Sequence, residues 1–173
     1  MLRRQLSLSA PIFLALYVFQ ESVINQFKLA GGGFSLFVIF VLVWAVISTP
    51  EIAALTGFAA GILMDMSQSS GGPVGQWTLI MIVICYGVSY LGYGDGNING
   101  NPIGVVFFVV VANLSAMLLF LASGALLGVT TGGFSQVLLT LIGNSLWTLV
   151  ITPIALPLFS SLHNFVFETR SSL

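Results

Sequence analysis

The side chains able to do chemistry in this chain are few, and most of them interrupt apolar runs. Ala53, Gly57, Gly61 and Asp65 recur at every fourth residue, a spacing that puts all four on one face of a helix. The first three have almost no side chain, so another helix backbone can come close to them. Asp65 closes the strip with an acid that hydrocarbon cannot solvate, so it needs a donor or water. A second polar group, Gln20, Glu21 and Asn25, falls late in the first apolar run, with Glu21 and Asn25 four apart. Asn113 stands inside a long apolar stretch, and Asn144, Thr148 and Thr152 share one helical face in the last one. Between membrane helices such amides and hydroxyls hydrogen-bond to one another, at roughly 0.6 kcal/mol each.

Catalysis finds little to work with here. His163 and Cys85 are the only histidine and the only cysteine, which removes most nucleophile–base pairs. Cys85 lies in an apolar run and reads as a small buried residue, with no disulfide or thiolate metal site to form. His163, near the C-terminus, reads as solvated or interfacial. Glu21 and Asp65 could suggest a proton relay, but no arginine, lysine or histidine falls within a predicted span to complete one. The hydrophilic run 94–101 lacks the glutamate and length of a calcium loop. No basic patch exists to hold nucleic acid. The expectation is a protein without catalysis, cofactor or metal.

The elements that must position these residues are membrane helices. Charged residues make up 5% of the chain and hydrophobic ones 57%, against about 25% charged in an ordinary soluble domain. The 173 residues leave room for one membrane domain and no soluble one. We expect an all-α integral membrane protein, a bundle of six transmembrane helices over residues 10–27, 34–48, 51–66, 74–93, 103–129 and 134–159. Arg3 and Arg4 precede an apolar run, as in a signal peptide, but that run continues without a small-residue cleavage site and reads as a retained span. Pro11 stands where the first helix can begin. Its polar end, Gln20, Glu21 and Asn25, either lies at the interface or faces the interior and pairs with a second helix. Thr49-Pro50-Glu51 breaks the stretch 34–66, because the residue before a proline is pushed out of helical geometry. That stretch is too long for one span and short for two; we read two short helices meeting at a tight turn, with a re-entrant half as the alternative. Trp77, Tyr90 and Tyr93 suit the two interfaces of the fourth span. Pro153 and Pro157 lie where the sixth can kink, and a polar tail follows from residue 160.

The run Gly57-Phe58-Ala59-Ala60-Gly61-Ile62-Leu63-Met64-Asp65, a Ser-rich turn, and Gly72-Pro73-Val74-Gly75 opening an apolar helix together resemble the MreD family of rod-shape-determining membrane proteins. Gln20 in the first span and Asn144 in the last are also similar. Length, span count and short loops fit over most of the chain, while the specific motif is confined to residues 57–75. The resemblance implies a non-enzymatic scaffold of the bacterial cell-elongation complex. Its expected partners are an MreC-like single-span membrane protein, the cytoskeletal protein MreB, a RodA-type glycosyltransferase, a class B penicillin-binding protein and membrane lipid. It also implies a fold similar to the substrate-binding S-components of energy-coupling-factor transporters. The alternative function is therefore a small-molecule-binding subunit of such a transporter. Those subunits carry an Ala-xxx-Ala motif in the first span; here that spacing occurs at Ala112 and Ala116 in the fifth. A transporter subunit should line an outer pocket with aromatic and charged side chains, whereas an adaptor should present a lipid-facing groove of small residues. The strip Ala53, Gly57, Gly61 could receive another helix of the bundle, such as the fifth span at Ala112 and Ala116, or the helix of an MreC-like partner.

With six spans, Arg3, Arg4 and Arg170 lie on the cytoplasmic side and Lys28 outside, in keeping with the positive-inside rule. Both termini are accordingly expected in the cytoplasm. Reporter fusions at Leu173 should report a cytoplasmic C-terminus; an external one would remove the six-span topology and restore the re-entrant reading of residues 52–66.

Overall fold

In the computed structural model, which describes residues 2–26, 33–67, 72–94, 101–128 and 133–168, the described residues form helices and turns and no strand. The helices are α1 (Leu2–Ser22), α2 (Leu36–Ile47), α3 (Pro50–Asp65), α4 (Gln76–Gly94), α5 (Pro102–Leu126) and α6 (Phe134–Glu168), with a 3-10 turn at Ile24–Gln26 after α1. Most of each loop expected around residues 28–33, 67–72, 94–101 and 130–133 falls outside the described residues. Two segments, Pro102–Leu126 and Ser135–Asn164, are long and apolar enough to cross a membrane; Leu36–Ile47 and Gln76–Gly92 are shorter apolar helices.

Several boundaries differ from the sequence reading. Helix α1 starts at Leu2, not at residue 10, and carries Pro11 in its interior. It ends at Ser22, so Asn25 sits on the 3-10 turn and does not share a helical face with Glu21. Helix α6 runs through Pro153 and Pro157 to Glu168, so most of the expected tail is helix. His163 is correspondingly not solvated: its ring packs edge-on to Trp44 at 4.9 Å, and its Nε2 lies 3.2 Å from Ser48 Oγ.

Helix α2 is the centre of the bundle. Every residue from Phe37 to Val46 is buried, because the helix is apolar all round and has no face to offer water. Phe13, Phe159 and Trp44 close on Phe40 with ring centroids 5.0, 5.0 and 5.4 Å away, joining α1 and α6 to it. At 12 residues it is roughly 18 Å long. Ser48 and Thr49 are extended between α2 and α3, the break that Pro50 imposes on its predecessor. Pro50 then opens α3 with no N–H to leave unsatisfied, and Ala53 N–H closes the first turn on Thr49 C=O at 2.9 Å.

The small-residue strip of α3 faces α4. A Cβ on Gly57 would lie 2.5 Å from the Met81 carbonyl oxygen and 3.0 Å from Cys85 Cβ, and one on Gly61 would overlap the backbone of Thr78. Ala53 is fully buried on the same face. The strip is a packing surface, but its occupant is α4, not α5 and not a partner; Ala112 and Ala116 are buried elsewhere, in the core of α5. Four-residue spacing of small side chains thus lets two consecutive helices touch backbone to backbone, where many weak van der Waals contacts add up.

Beside this apolar core, several polar side chains are buried while many apolar ones are exposed. Gln20, Thr56, Gln76, Ser89, Asn113, Asn144, Thr148 and Thr152 are buried, while Leu14, Leu79, Phe107, Leu139, Leu146 and Ile154 are exposed.

The α3–α4 contact gives a direct check. Gly61→Ala should lower stability by about 1–3 kcal/mol through overpacking against backbone that cannot retreat. Gly87→Ala in α4, whose added carbon would meet nothing within 4 Å, should be neutral or slightly stabilising. Thermal unfolding of the two variants in detergent measures the difference; equal midpoints would show that the helices do not meet at Gly61.

Candidate functional site: a polar cavity between capped helix ends

The site begins with two helix starts that must be closed. The first amides of a helix have no partner within it. At α4, Asp65 supplies the acceptors from the end of α3. Its Oδ2 takes N–H groups from Gly75 at 2.9 Å and Thr78 at 3.1 Å, together with the Thr78 hydroxyl at 2.5 Å. Its Oδ1 takes the Trp77 N–H at 3.0 Å. Gln76 N–H reaches Pro73 C=O at 3.2 Å and Leu79 N–H starts the ladder on Gly75 C=O at 3.1 Å. An acid at a helix N-terminus also meets the positive end of the helix dipole. Asp65 is satisfied by the start of α4, as its position required; residues 68–71 of the Ser-rich turn lie outside the described residues.

At α2 the same task falls to Gln20 from α1. Its Oε1 accepts from Leu36 N–H at 2.8 Å and Phe37 N–H at 3.4 Å. Ser35 Oγ accepts from Val38 N–H at 3.3 Å, and Ile39 N–H bonds Ser35 C=O at 3.0 Å. Gln20 Nε2 is left to donate to Asn25 Oδ1 at 2.8 Å. Of the two readings of this polar group, the interior one holds for Gln20, which is buried. Glu21 also pairs with another element: its Oε1 accepts from Ser67 Oγ, just past α3, at 2.6 Å.

A third chain of bonds runs between α5 and α6. Asn144 Nδ2 donates to Gly33 C=O at 3.1 Å, which leaves its Oδ1 to accept from Asn113 Nδ2 at 2.6 Å. Asn113 Nδ2 also lies 3.3 Å from Thr148 Oγ1, and Thr152 Oγ1 donates back to Thr148 C=O at 2.6 Å. Asn144, Thr148 and Thr152 do share an inward face, and all three are buried.

Beside these systems lies an open cavity of about 210 Å³. Gln20, Glu21, Asn25 and Asn113 line it, as do Ser35 and Ser67. Tyr17, Phe34, Phe37 and Trp77 supply aromatic wall, and Met64, Ala116 and Met117 are among its apolar lining. The structure thus gathers four of the sequence-selected polar residues in one place. It sets Ala53, Gly57, Gly61 and Asp65 apart in the α3–α4 packing, and Asn144, Thr148 and Thr152 behind Asn113. The aromatic wall was not legible. Trp77 reads as an interfacial ring by its place at a helix end, yet it stacks on Phe120 at 4.5 Å. Tyr17 lies in an unremarked apolar run and meets Phe37 edge-on at 5.6 Å. Gln76, also unremarked, ties α4 to α5 through Phe120 C=O at 2.9 Å and Ser123 Oγ at 2.7 Å.

Compared with family models, with curated proteins and with solved structures, the chain matches none.

Removing the Asp65 acceptors should be costly, because the amides at the start of α4 then lack partners. Asp65→Ala is expected to lose about 1–3 kcal/mol of stability, and Asp65→Asn, which keeps one acceptor oxygen, less. Chemical unfolding of the detergent-solubilised protein would record this order, and an Asp65→Ala variant as stable as the parent would remove the capping role.

Proposed function

We propose that this protein is a membrane scaffold of the bacterial cell-elongation complex, of the MreD type, with no catalysis of its own. In this reading all six helices cross the cytoplasmic membrane and both termini face the cytoplasm. The apolar outer surface meets lipid, and the short α2 is tolerated because the surrounding helices bury it.

The observation that carries the reading is that the residues of the resemblance act as one unit. Gly57 and Gly61 admit α4, and Asp65 caps α4 at the turn that Gly75 opens. A motif made of these residue types at this spacing is thereby accounted for by one physical device, an α-helical hairpin closed at its tip. Partner recognition then falls to another surface. Between α1 and α3 an apolar groove of about 380 Å³ runs past Ala10, Phe13, Thr56, Phe58 and Ala59. Small residues on both walls and exposed Leu14 and Phe58 alongside suit the single membrane helix of an MreC-like protein. RodA-type glycosyltransferase and class B penicillin-binding protein would join through that assembly.

A second reading is favoured by a different observation. The polar cavity is lined by four aromatic rings and one acid, which is the lining expected of a small-molecule-binding membrane subunit.

The scaffold reading is tested by co-purification from detergent, with identification of what accompanies the tagged protein. An MreC-like single-span protein is expected. Ala59→Trp, which fills the α1–α3 groove from an exposed position, should leave abundance and thermal stability unchanged while reducing partner recovery by about ten-fold. Full recovery with Ala59→Trp would remove the groove as the docking surface, and absence of any elongation protein from the parent sample would sink the scaffold reading.

A further inference from the structure

We propose that the polar cavity is a receptor site for a protonated organic amine with a flat apolar body. This rests on the second reading above, in which the cavity admits a small molecule, and names what that molecule must be.

The argument starts from which polar atoms the fold has already used. A carbonyl can only accept, so Gly33 C=O fixes Asn144 with its Nδ2 toward Gly33. Asn144 Oδ1 must then accept, which fixes Asn113 with its Nδ2 toward Asn144 and Thr148. Asn113 Oδ1 is left without a hydrogen bond among the described residues, on a side chain that is 5% exposed and lines the cavity. An amide oxygen left open on a buried side chain at a cavity is able to take a donor. Gln20 points no spare oxygen inward, since its Oε1 is held by Leu36 and Phe37. Glu21 engages Ser67 through Oε1, and its second oxygen has no hydrogen bond among the described residues. The cavity therefore offers two acceptors, one of them acidic. No arginine, lysine or histidine lines it among the described residues.

The walls complete the chemistry. Tyr17, Phe34, Phe37 and Trp77 present aromatic surface, and ring faces attract organic cations as well as flat apolar groups. An acidic acceptor, a neutral acceptor and aromatic walls together select a ligand that brings N–H donors and positive charge. They disfavour an anion, which would meet Glu21, and a neutral alcohol, which gains nothing from the charge.

Phenethylamine, 2-phenylethanol and phenylacetate share one apolar body and differ in the group that this chemistry reads. Binding of each to the full-length protein in detergent is measured by calorimetry, alongside Glu21→Gln and Met117→Trp. Glu21→Gln keeps an acceptor for Ser67 and removes the acid; Met117→Trp fills the cavity and separates site binding from micelle partition. Phenethylamine should bind about ten-fold or more tighter than 2-phenylethanol, and phenylacetate weakest. Glu21→Gln should abolish that preference without changing 2-phenylethanol binding, and Met117→Trp should abolish binding of all three. Equal binding of amine and alcohol, lost in Met117→Trp, would overturn the amine inference and leave a receptive cavity. Absence of binding by all three would overturn the inference and the small-molecule reading together.

Discussion

A helix start carries amide hydrogens that the helix itself cannot use, and in a chain with so few polar residues the partners have to come from other helices. The central helix α2 and its neighbour α4 both depend on this. Gln20 closes α2 from α1, and Asp65 closes α4 from α3. Each cap joins elements that are consecutive in the chain, and each fixes how far one helix can slide along the next. Without them α2 could not be buried along nearly its whole length, and the backbone contact at Gly57 and Gly61 would lack its stop at the tip. The other end of α2 is held in the same manner. Ser89 Oγ donates to Ser48 C=O at 2.6 Å, and Ser48 Oγ meets His163.

Many polar groups among the described residues are therefore structural, and separating them from the remainder locates the candidate site. Asp65 and Gln20 accept hydrogen bonds from backbone N–H groups at helix starts, and Asn144 and Thr152 donate to backbone carbonyls. Two acceptors that these bonds leave over lie on residues of one cavity, an oxygen of Glu21 and the carbonyl oxygen of Asn113. The same division applies to the small residues. Ala53, Gly57 and Gly61 are spent inside the α3–α4 hairpin, which moves any partner surface to the opposite side of α3, where Ala59 and Phe58 border a groove with α1. The helix contact with α4 and the groove with α1 thus occupy different faces of one short helix.

Much of this architecture was legible from residue types and spacing. The apolar composition, the break at Pro50, the inward face Asn144–Thr148–Thr152 and the need of Asp65 for donors follow from local rules: proline geometry, helical periodicity and the cost of an unpartnered polar group. These are properties of a segment and its medium, so the segment reveals them. The start of α1 was misread because Pro11 looks like a boundary in isolation, and the end of α6 because the sequence turns polar from residue 160; the helices run through Pro11 and on to Glu168. A proline removes one hydrogen bond and crowds one turn, and packing on both sides can hold the helix together despite it.

What spacing could not decide was identity of partners. A four-residue strip of small side chains states that a backbone approaches, but α4, α5 and a foreign helix would all satisfy it; only the packed structure shows that α4 is the one there. Polar periodicity likewise says that Gln20 and Asn113 face inward without saying toward what. One caps α2 and the other hangs from Asn144, because the crossing of α1, α5 and α6 around the central helix sets those distances. Trp77 and Tyr17 were placed by the same crossing, which turned rings that suit an interface or a plain core into the wall of a cavity. The sequence by itself determined the apolar composition, the helical character and the residues that needed partners; the tertiary structure alone decided the pairings, since hydrogen bonds between helices depend on distances that no single helix encodes.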